Sequence, residues 1–415
     1  MSGERRPRVA VVGGGAAGMC AAYFAAKNGA DVTIFEKNDR LGRKLGITGK
    51  GRCNVTNDCP DVNEFLANVV RNPRFLYSCL SGFGTEDTKA LFTSLGVPLK
   101  TERGRRVFPV SDKASDIVSA LKNACADAGV RLEFRRVTCI LSESGVLYGV
   151  KTADGRARPF DRVIIATGGR SYPATGSTGD GWHFAERTGH RTVPAAPALV
   201  GLDSPDTCCP ALSGLTLKNV RLELADRKKT LYSEQGELLF THTGISGPLA
   251  LSASCFYVPG ASVRIDLKPA LDAATLEKRI ERECAEAGAK TVGGMMPKLV
   301  PASMGEYVLE RAGVDPKLRA AQLSAKARAA LVGALKSFGL EISGPRPFEE
   351  AVVTAGGVDV RDVDPKTMES KLVPGLYFCG EVLDVHALTG GYNLQIAFST
   401  ARSAGVAASQ AKDEG

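Results

Sequence analysis

The first forty residues contain the feature that most constrains the fold, a strand–helix–strand unit with a glycine-rich turn. Arg8–Val12 (RVAVV) is a short β-branched run that predicts a strand, and it leads into GGGAAG, which has G-x-G-x-x-G spacing. The alanine-rich residues 16–28 predict a helix, and Asp31–Phe35 (DVTIF) predicts a second strand. Glu36 follows that strand directly, 18 residues after the last glycine of the motif. This order indicates a dinucleotide-binding fold.

Each glycine of this turn has a separate predicted role. Gly13 permits the tight turn, Gly15 lets the backbone approach a pyrophosphate, and Gly18 lets the helix pack closely on the strand. The start of the helix offers free N–H groups to the phosphates, while the acid accepts hydrogen bonds from ribose hydroxyls and repels a 2′-phosphate. The residues expected to contact the dinucleotide in this region are Gly13, Gly15, Ala16, Ala17, Gly18, Glu36 and Lys37. The motif by itself leaves open whether the dinucleotide is FAD or NAD.

Three further segments favour FAD. Residues 40–57 (RLGRKLGITGKGRCNVTN) form a loop rich in glycine and cations that suits a pyrophosphate and a ribityl chain. Residues 160–169 (FDRVIIATGG) predict a buried strand that follows a three-stranded meander. Residues 375–395 (GLYFCGEVLDVHALTGGYNLQ) predict a strand and then a helix whose positive end faces the flavin. The residues expected to contact FAD in these segments and in the meander are Arg43, Lys44, Thr48, Gly51, Arg52, Cys53, Asn54, Val137, Ala166, Thr167, Gly168, Gly169, Gly380, Glu381, Gly391, Tyr392, Asn393 and Leu394.

These segments also carry a resemblance to a known family. The stretches VVGGGAAGMCAA, FEKNDRLGRKLGITGKGRCNVTN, RVFPVSDKASDIVSAL, IIATGG, FTHTGISGPLALSAS, AVVTAGGVDV and GLYFCGEVLDVHALTGGYNLQIAFSTARSAG run through nearly the whole chain. In this order they resemble the bacterial FAD-dependent flavoproteins that include aminoacetone oxidase-like proteins and 3-dehydro-bile acid reductases. One departure is His386-Ala387, where the family often has Asp-Gly beside the flavin, and this difference bears on substrate choice.

The βα rhythm stops between about residues 192 and 344. Short β-like runs separated by Gly, Pro and Asp predict a small barrel, and residues 272–337 read as amphipathic helices. The predicted fold is α/β. A Rossmann-like FAD-binding domain is built from both chain ends (1–191 and 345–415). The inserted β-barrel domain (192–271 and 338–344) itself carries a helical insertion (272–337). The resemblance implies the same arrangement.

The flavin carries the redox chemistry, so the protein must position the substrate and handle a proton. His386, Tyr392 and Tyr172 are the candidate proton donors, the first of them on the strength of the resemblance. Cys53 and Cys59 lie where thiol–disulfide flavoenzymes keep a redox pair, but five residues separate them here instead of four. We therefore expect Cys53 to pack against the cofactor.

Composition excludes several classes of protein. The 44% hydrophobic content is that of a globular protein, no apolar run reaches the length of a bilayer span, and the scarce histidines and cysteines show no metal-site spacing. Eleven cysteines in a long chain indicate reduced thiols and a cytoplasmic location. The net charge of +8 permits nucleic-acid binding, yet acids are interleaved with the bases, so residues 100–106 are interpreted as a solvated basic surface.

The function predicted from these observations is FAD-dependent reduction of a conjugated carbonyl of the 3-oxo bile acid or steroid type. NADH or NADPH is the expected electron donor, and a small apolar molecule in the inserted domain is the expected substrate. No nucleic-acid or membrane partner is expected, and the oligomeric state is open. Two alternatives stay open: an amine oxidase that uses O₂, and a flavin-dependent RNA-binding or RNA-modifying protein.

Overall fold

The computed structural model describes residues 6–227 and 229–410. The chain divides into two compact units: unit 1 is Met1–Pro197 with Phe348–Gly415, and unit 2 is Ala198–Pro347. Across the described residues, none of the helices combines the length and the apolar character needed to cross a bilayer.

The strands are β1 (Arg8–Val12), β2 (Asp31–Phe35), β3 (Thr56–Asn57), β4 (Val69–Arg71), β5 (Leu99–Glu102), β6 (Arg106–Pro109), β7 (Arg131–Glu133), β8 (Val137–Glu143), β9 (Val146–Thr152), β10 (Ala157–Pro159), β11 (Arg162–Ile165), β12 (Thr192–Ala198), β13 (Leu202–Asp203), β14 (Thr216–Asp226), β15 (Lys229–Thr241), β16 (Gly244–Ser246), β17 (Ser262–Asp266), β18 (Phe338–Glu341), β19 (Gly344–Pro345), β20 (Val353–Val358), β21 (Leu376–Phe378) and β22 (His386–Ala387).

The α-helices are α1 (Ala16–Lys27), α2 (Val62–Leu66), α3 (Tyr77–Gly82), α4 (Thr85–Ser94), α5 (Ala114–Asp127), α6 (Asp180–Arg187), α7 (Cys208–Ala211), α8 (Gly247–Ser254), α9 (Ala273–Glu286), α10 (Val292–Met295), α11 (Ala302–Ala312), α12 (Ala325–Lys336) and α13 (Tyr392–Ser409).

Unit 1 is built on a parallel sheet that draws on both ends of the chain. Its five strands lie in the order β21-β11-β1-β2-β7, so β21 from the C-terminal segment extends the sheet begun by β1. Strands β1, β2, β11 and β21 are short and almost fully buried, which is the pattern expected of a parallel sheet, while β7 at one edge is partly exposed. Because the strands are parallel, their carboxyl ends share one edge of the sheet, where ligands of such folds bind. The predicted Rossmann-like domain from both chain ends is therefore present.

The first and last helices of unit 1 pack against each other beside this sheet. A Cβ atom on Gly405 of α13 would lie 2.4 Å from the carbonyl oxygen of Ala21 in α1, so the two backbones approach too closely for a larger residue. The two helices are therefore fixed relative to each other, and α1 starts at the carboxyl edge of the sheet because it follows β1 directly.

Unit 2 contains an antiparallel sheet with a helical segment inserted into it. Seven strands pair in the order β18-β17-β14-β15-β16-β13-β19, and α9 to α12 lie between β17 and β18 in the chain. These helices cover the range predicted to be helical. The pairings among the described residues give this sheet two ends, β18 and β19, so closure into a barrel stays a prediction.

The boundaries between the units differ slightly from those predicted at residues 191 and 345. Strand β12 pairs with β20 of unit 1, which keeps residues 192–197 in that unit. At the return, Pro345 pairs with Leu202, and Arg346 Nε donates to Asp203 Oδ1 at 3.1 Å, so residues 345–347 belong to unit 2. Local patterns do not reveal such long-range pairings.

Candidate functional site

The turn between β1 and α1 has the geometry that the glycine motif requires. Gly13 has a φ of +107°, and a Cβ atom on Gly18 would lie 1.8 Å from the Gly13 carbonyl oxygen. At Gly15, by contrast, no described heavy atom lies within 4 Å of the Cβ position outside its chain neighbours. Gly15 is also the N-cap of α1, and no side chain caps that helix. The turn thus leaves open space beside unpaired N–H groups, which suits an anion.

Glu36 lies beside this turn and is only 7% exposed. Its Oε2 accepts from the Gly14 N–H at 2.7 Å, and its Oε1 accepts from the backbone N–H and the side-chain amide of Asn38 at 2.8 and 2.6 Å. A carboxylate has about four acceptor positions. Glu36 is therefore held in place and can still accept one more hydrogen bond. The predicted contact with a ribose hydroxyl requires such a free acceptor position.

A polar cluster joins the cationic loop to the C-terminal segment. Glu381 Oε2 accepts from Lys44 Nζ at 2.7 Å, and Oε1 accepts from Ser171 Oγ and the Thr354 N–H, each at 2.8 Å. Thr354 Oγ1 in turn accepts from the backbone N–H groups of Arg170 and Ser171. Glu381 and Lys44 were predicted to contact the cofactor directly. In this structure they bind each other and so fix the loops around the site, and their contact with the cofactor stays a prediction.

Sequence reasoning missed Ser171 and Thr354, which complete that cluster. Ser171 is fully buried and is separated from Thr354 by 183 residues. Each is a common small hydroxyl residue without a motif of its own, and no local signal distinguishes it. The ATGG segment beside them was recognised: Ala166 follows β11 and lies at Gly13, while Thr167 Oγ1 is buried without a described partner.

Several other residues of the cationic loop have protein partners. Arg52 forms ion pairs with Glu102 and Asp112 at 2.5 and 2.6 Å. Its guanidinium also stacks on the Phe108 ring at 4.2 Å. These pairs compete with a cofactor phosphate for the guanidinium, and the contact between Arg52 and the cofactor stays a prediction.

The remaining predicted cofactor contacts divide between supporting and unassigned positions. Asn54 Oδ1 accepts from the Val107 N–H at 3.1 Å, and Lys37 Nζ pairs with Asp180 at 2.9 Å. Val137 is buried in β8 of the meander. Four further predicted contacts lie in the cationic loop or in the first turn of α13. No described hydrogen bond of theirs excludes contact with the cofactor. They are Arg43, Thr48, Gly51 and Leu394.

The C-terminal glycines meet a short strand from the N-terminal region. A Cβ atom on Gly391 would lie 2.3 Å from the Thr56 carbonyl oxygen, and α13 starts at Tyr392 without a side-chain cap. Asn57 is 2% exposed, and its Nδ2 donates to the carbonyl oxygens of Gly390 and Gly104 at 3.0 and 3.2 Å. Both partners are carbonyl oxygens, which only accept, so the side-chain atom that faces them must be the amide nitrogen. The buried Oδ1 has no described partner. Asn57 was not predicted as a site residue.

His386 is the most unusual polar group near this helix start. It is 4% exposed, and neither ring nitrogen has a hydrogen-bond partner among the described residues. Burial lowers the pKa of His386 to about 4, although nearby Asp384 opposes the shift. Asn393 holds the adjoining backbone, because its Oδ1 accepts from the Ala387 N–H at 2.9 Å and its Nδ2 donates to the Ala387 carbonyl at 2.8 Å. The imidazole is therefore neutral near pH 7, so one of its ring nitrogens carries an N–H that can donate a hydrogen bond, and the ring is poorly suited to the predicted proton donation.

The two tyrosines differ in their surroundings. The Tyr392 ring packs edge-on against Phe65 with centroids 5.0 Å apart, and burial raises the pKa of Tyr392. Its phenol therefore stays protonated near neutral pH. Tyr172 is half-buried with a φ of +51°, an uncommon conformation for a residue with a side chain, and its N–H donates to Phe348. It lies next to the buried Ser171 of the polar cluster.

The cysteines give no support to a thiol–disulfide centre. All eleven are free thiols. Burial raises the pKa of Cys53 to about 12 and also raises the pKa of Cys59, which disfavours the reactive thiolate.

This chain is similar to known proteins over nearly its whole length. The HI0933-like protein Rossmann domain matches residues 7–407. The chain belongs to the HI0933-like family. This membership confirms the predicted resemblance and the predicted enzyme class, a flavin-dependent oxidoreductase.

Two curated relatives match almost the full chain. The 3-dehydro-bile acid delta(4,6)-reductase of Clostridium scindens is 33% identical over an alignment 417 residues long, which covers 97% of this chain and 99% of the relative. The ribosomal RNA dihydrouridine synthase of Haemophilus influenzae is 33% identical over 397 residues, 94% of this chain and 96% of the relative. The solved structure of 3-ketosteroid-delta4-(5alpha)-dehydrogenase from Rhodococcus jostii RHA1 aligns with this chain at a TM-score of 0.54 and 16% identity, over 99% of each chain. This similarity supports the fold alone.

Proposed function

We propose that this protein binds FAD and uses NADH or NADPH to reduce a carbon–carbon double bond conjugated to a carbonyl group. The observation that carries the proposal is the pairing of two uncapped helix starts, one with open space at Gly15 and the other near the unpartnered, buried His386. Phosphates of the cofactor fit the first, and a redox ring with a bound carbonyl fits the second.

The residues present fit FAD better than a smaller flavin. The open position at Gly15 and the remaining acceptor capacity of Glu36 suit the pyrophosphate and the adenosine ribose. The buried acceptor Oδ1 of Asn57 suits an N–H donor near the start of α13. When bound and reduced, FAD would supply the hydride.

The two curated relatives have names that point to one kind of chemistry. A delta(4,6)-reductase acting on a 3-dehydro compound and a dihydrouridine synthase both saturate ring double bonds, and in each ring the double bond is conjugated to a carbonyl. Negative charge develops on that carbonyl oxygen during reduction. A neutral His386 can donate its N–H to this oxygen without losing the proton. The protonated phenol of Tyr392 then supplies the proton for the carbon next to the carbonyl.

The substrate has two candidates within this chemistry. The small ring ketone expected from the sequence is supported by the bile acid reductase, while the net charge of +8 favours the second candidate, a uracil base in RNA. The second candidate replaces the expectation that no nucleic acid binds. The cytoplasmic location expected from the sequence suits either substrate.

Anaerobic stopped-flow mixing tests the proposal. We expect NADH or NADPH to bleach the FAD-loaded protein, and we expect a conjugated cyclic ketone or uridine-containing RNA to restore the oxidised spectrum. Bleaching by an amine, with no response to either nicotinamide cofactor, would instead support the amine oxidase alternative and contradict the proposal.

A further inference from the structure

A basic hairpin is joined directly to the candidate site. In the pairing of β5 with β6, Glu102 and Arg106 are the last pair before the turn. Arg103, Gly104 and Arg105 connect the two strands. Sequence alone suggested a solvated basic surface here. In the structure, the side-chain amide of Asn57 donates both to the Gly104 carbonyl in this loop and to Gly390 beside the start of α13.

The hairpin is held by further backbone contacts. Asn57 pairs with Arg106 across β3 and β6, and the Asp58 N–H donates to the Arg105 carbonyl oxygen at 2.7 Å. The loop therefore has a fixed position at the rim of the site, because the same residue fixes both the loop and the glycine turn. Its exposed side chains therefore lie on a loop that Asn57 ties to the glycine turn before α13.

Among the described residues, two cations of this hairpin have an acidic partner and two do not. Lys100 pairs with Asp112 at 2.7 Å, and Arg105 pairs with Glu64 at 2.5 Å. Arg103 and Arg106 are exposed, and neither forms an ion pair among the residues that the structure describes. Arg106 Nε donates to the Arg103 carbonyl at 3.0 Å, which orients the group while its terminal N–H groups are left for an anion.

We infer that Arg103 and Arg106 bind phosphates of an RNA strand whose uracil base enters the candidate site. In RNA a base is tied to its own phosphates, so cations at the rim of a base pocket meet phosphate, whereas a free ring ketone carries none. Enzymes that act on a base take it out of the stack, and backbone contacts then hold the strand. The inference rests on the proposed function in its RNA form and adds the surface that binds the strand.

The test compares two double variants with equal losses of charge. Arg103→Gln with Arg106→Gln removes the proposed phosphate contacts. The control, Arg156→Gln with Arg187→Gln, removes two exposed arginines from elsewhere in unit 1, one in the turn before β10 and one at the end of α6. The probe is a labelled oligouridylate, and the readout is the slope of log affinity against log salt. The slope is negative, and loss of two phosphate contacts on a single strand decreases its magnitude by about 1.4, at about 0.7 per contact. We expect this decrease in the hairpin variant and a wild-type slope in the control.

Equal slopes in the hairpin variant and wild type, or equal decreases in both double variants, would overturn the inference. Bound FAD in each variant checks the fold. Failure of the inference is distinguishable from failure of the proposed function. Wild-type protein that reduces a cyclic enone but does not bind oligouridylate at low salt overturns the surface alone. A hairpin-specific decrease in slope, in a protein that reduces neither enone nor uridine, supports the surface and contradicts the reaction.

Discussion

Replacing His386 with phenylalanine is expected to lower turnover of a conjugated substrate by about 10²–10³-fold, the usual effect of removing one donor to a developing oxyanion. The same change should not lower the free energy of unfolding. Phenylalanine keeps an aromatic ring in a buried position and removes two ring nitrogens that have no described partner. Turnover is measured with the cyclic enone, and stability is measured by urea unfolding.

The pH dependence of stability tests whether His386 is buried in its neutral form. The folded pKa of about 4 is below the ordinary value of 6.5, so the unfolded chain binds a proton more readily as pH falls between these values. The histidine therefore costs stability below pH 6.5, by about 2 kcal/mol at pH 5, and nothing above it. His386→Phe should lose less stability than wild type between pH 7 and pH 5. Parallel curves for the two proteins would show that the histidine is not buried in its neutral form.

The second large effect is expected from two glycines of the same turn that differ in their surroundings. In Gly18→Ala the new methyl group would lie 1.8 Å from the Gly13 carbonyl oxygen. The backbone must shift, and we expect a loss of about 1–3 kcal/mol in the free energy of unfolding together with weaker FAD binding. Thermal unfolding of the apoprotein and FAD titration measure the two effects.

Gly15→Ala is the matched control, because its methyl group enters open space and Gly15 has a φ of −80°, which alanine adopts freely. We expect the apoprotein to unfold near the wild-type temperature, with FAD affinity about tenfold lower or weaker because the methyl group occupies the place of a phosphate. If Gly15→Ala destabilised the apoprotein as much as Gly18→Ala, the open space at Gly15 would be absent in solution.

The parts of the fold that could be predicted are those set by local patterns. The limits of β1 and β2 were predicted to the residue because each is an apolar run bounded by glycine or charge, and α1 was predicted within one residue of Lys27. The glycines of the turn follow from steric requirements that any such unit shares. The same reasoning placed the start of α13 after two glycines.

The rest of the site depends on contacts between residues distant in the chain. Asn57 meets Gly390 across 333 residues, and Ser171 meets Glu381 across 210. Arg52 was predicted to face the cofactor because cations suit phosphate, but an acid 50 residues away competes for it. Side-chain type predicts which chemistry a residue can perform, while long-range packing decides which partner it has. Polar residues without a motif are therefore the ones that sequence reasoning misses.

The central claim is that this chain holds FAD, with the adenosine and pyrophosphate half at the Gly13–Gly18 turn and Glu36 and the flavin ring near the start of α13. Calorimetric titration of the apoprotein with FAD and, separately, with FMN tests it most directly, because FMN lacks the adenosine half that the Gly13–Gly18 turn and Glu36 are proposed to bind. We expect FAD to bind one equivalent per chain and FMN to bind far more weakly. Equal affinity for the two flavins, or no binding of FAD, would contradict the account.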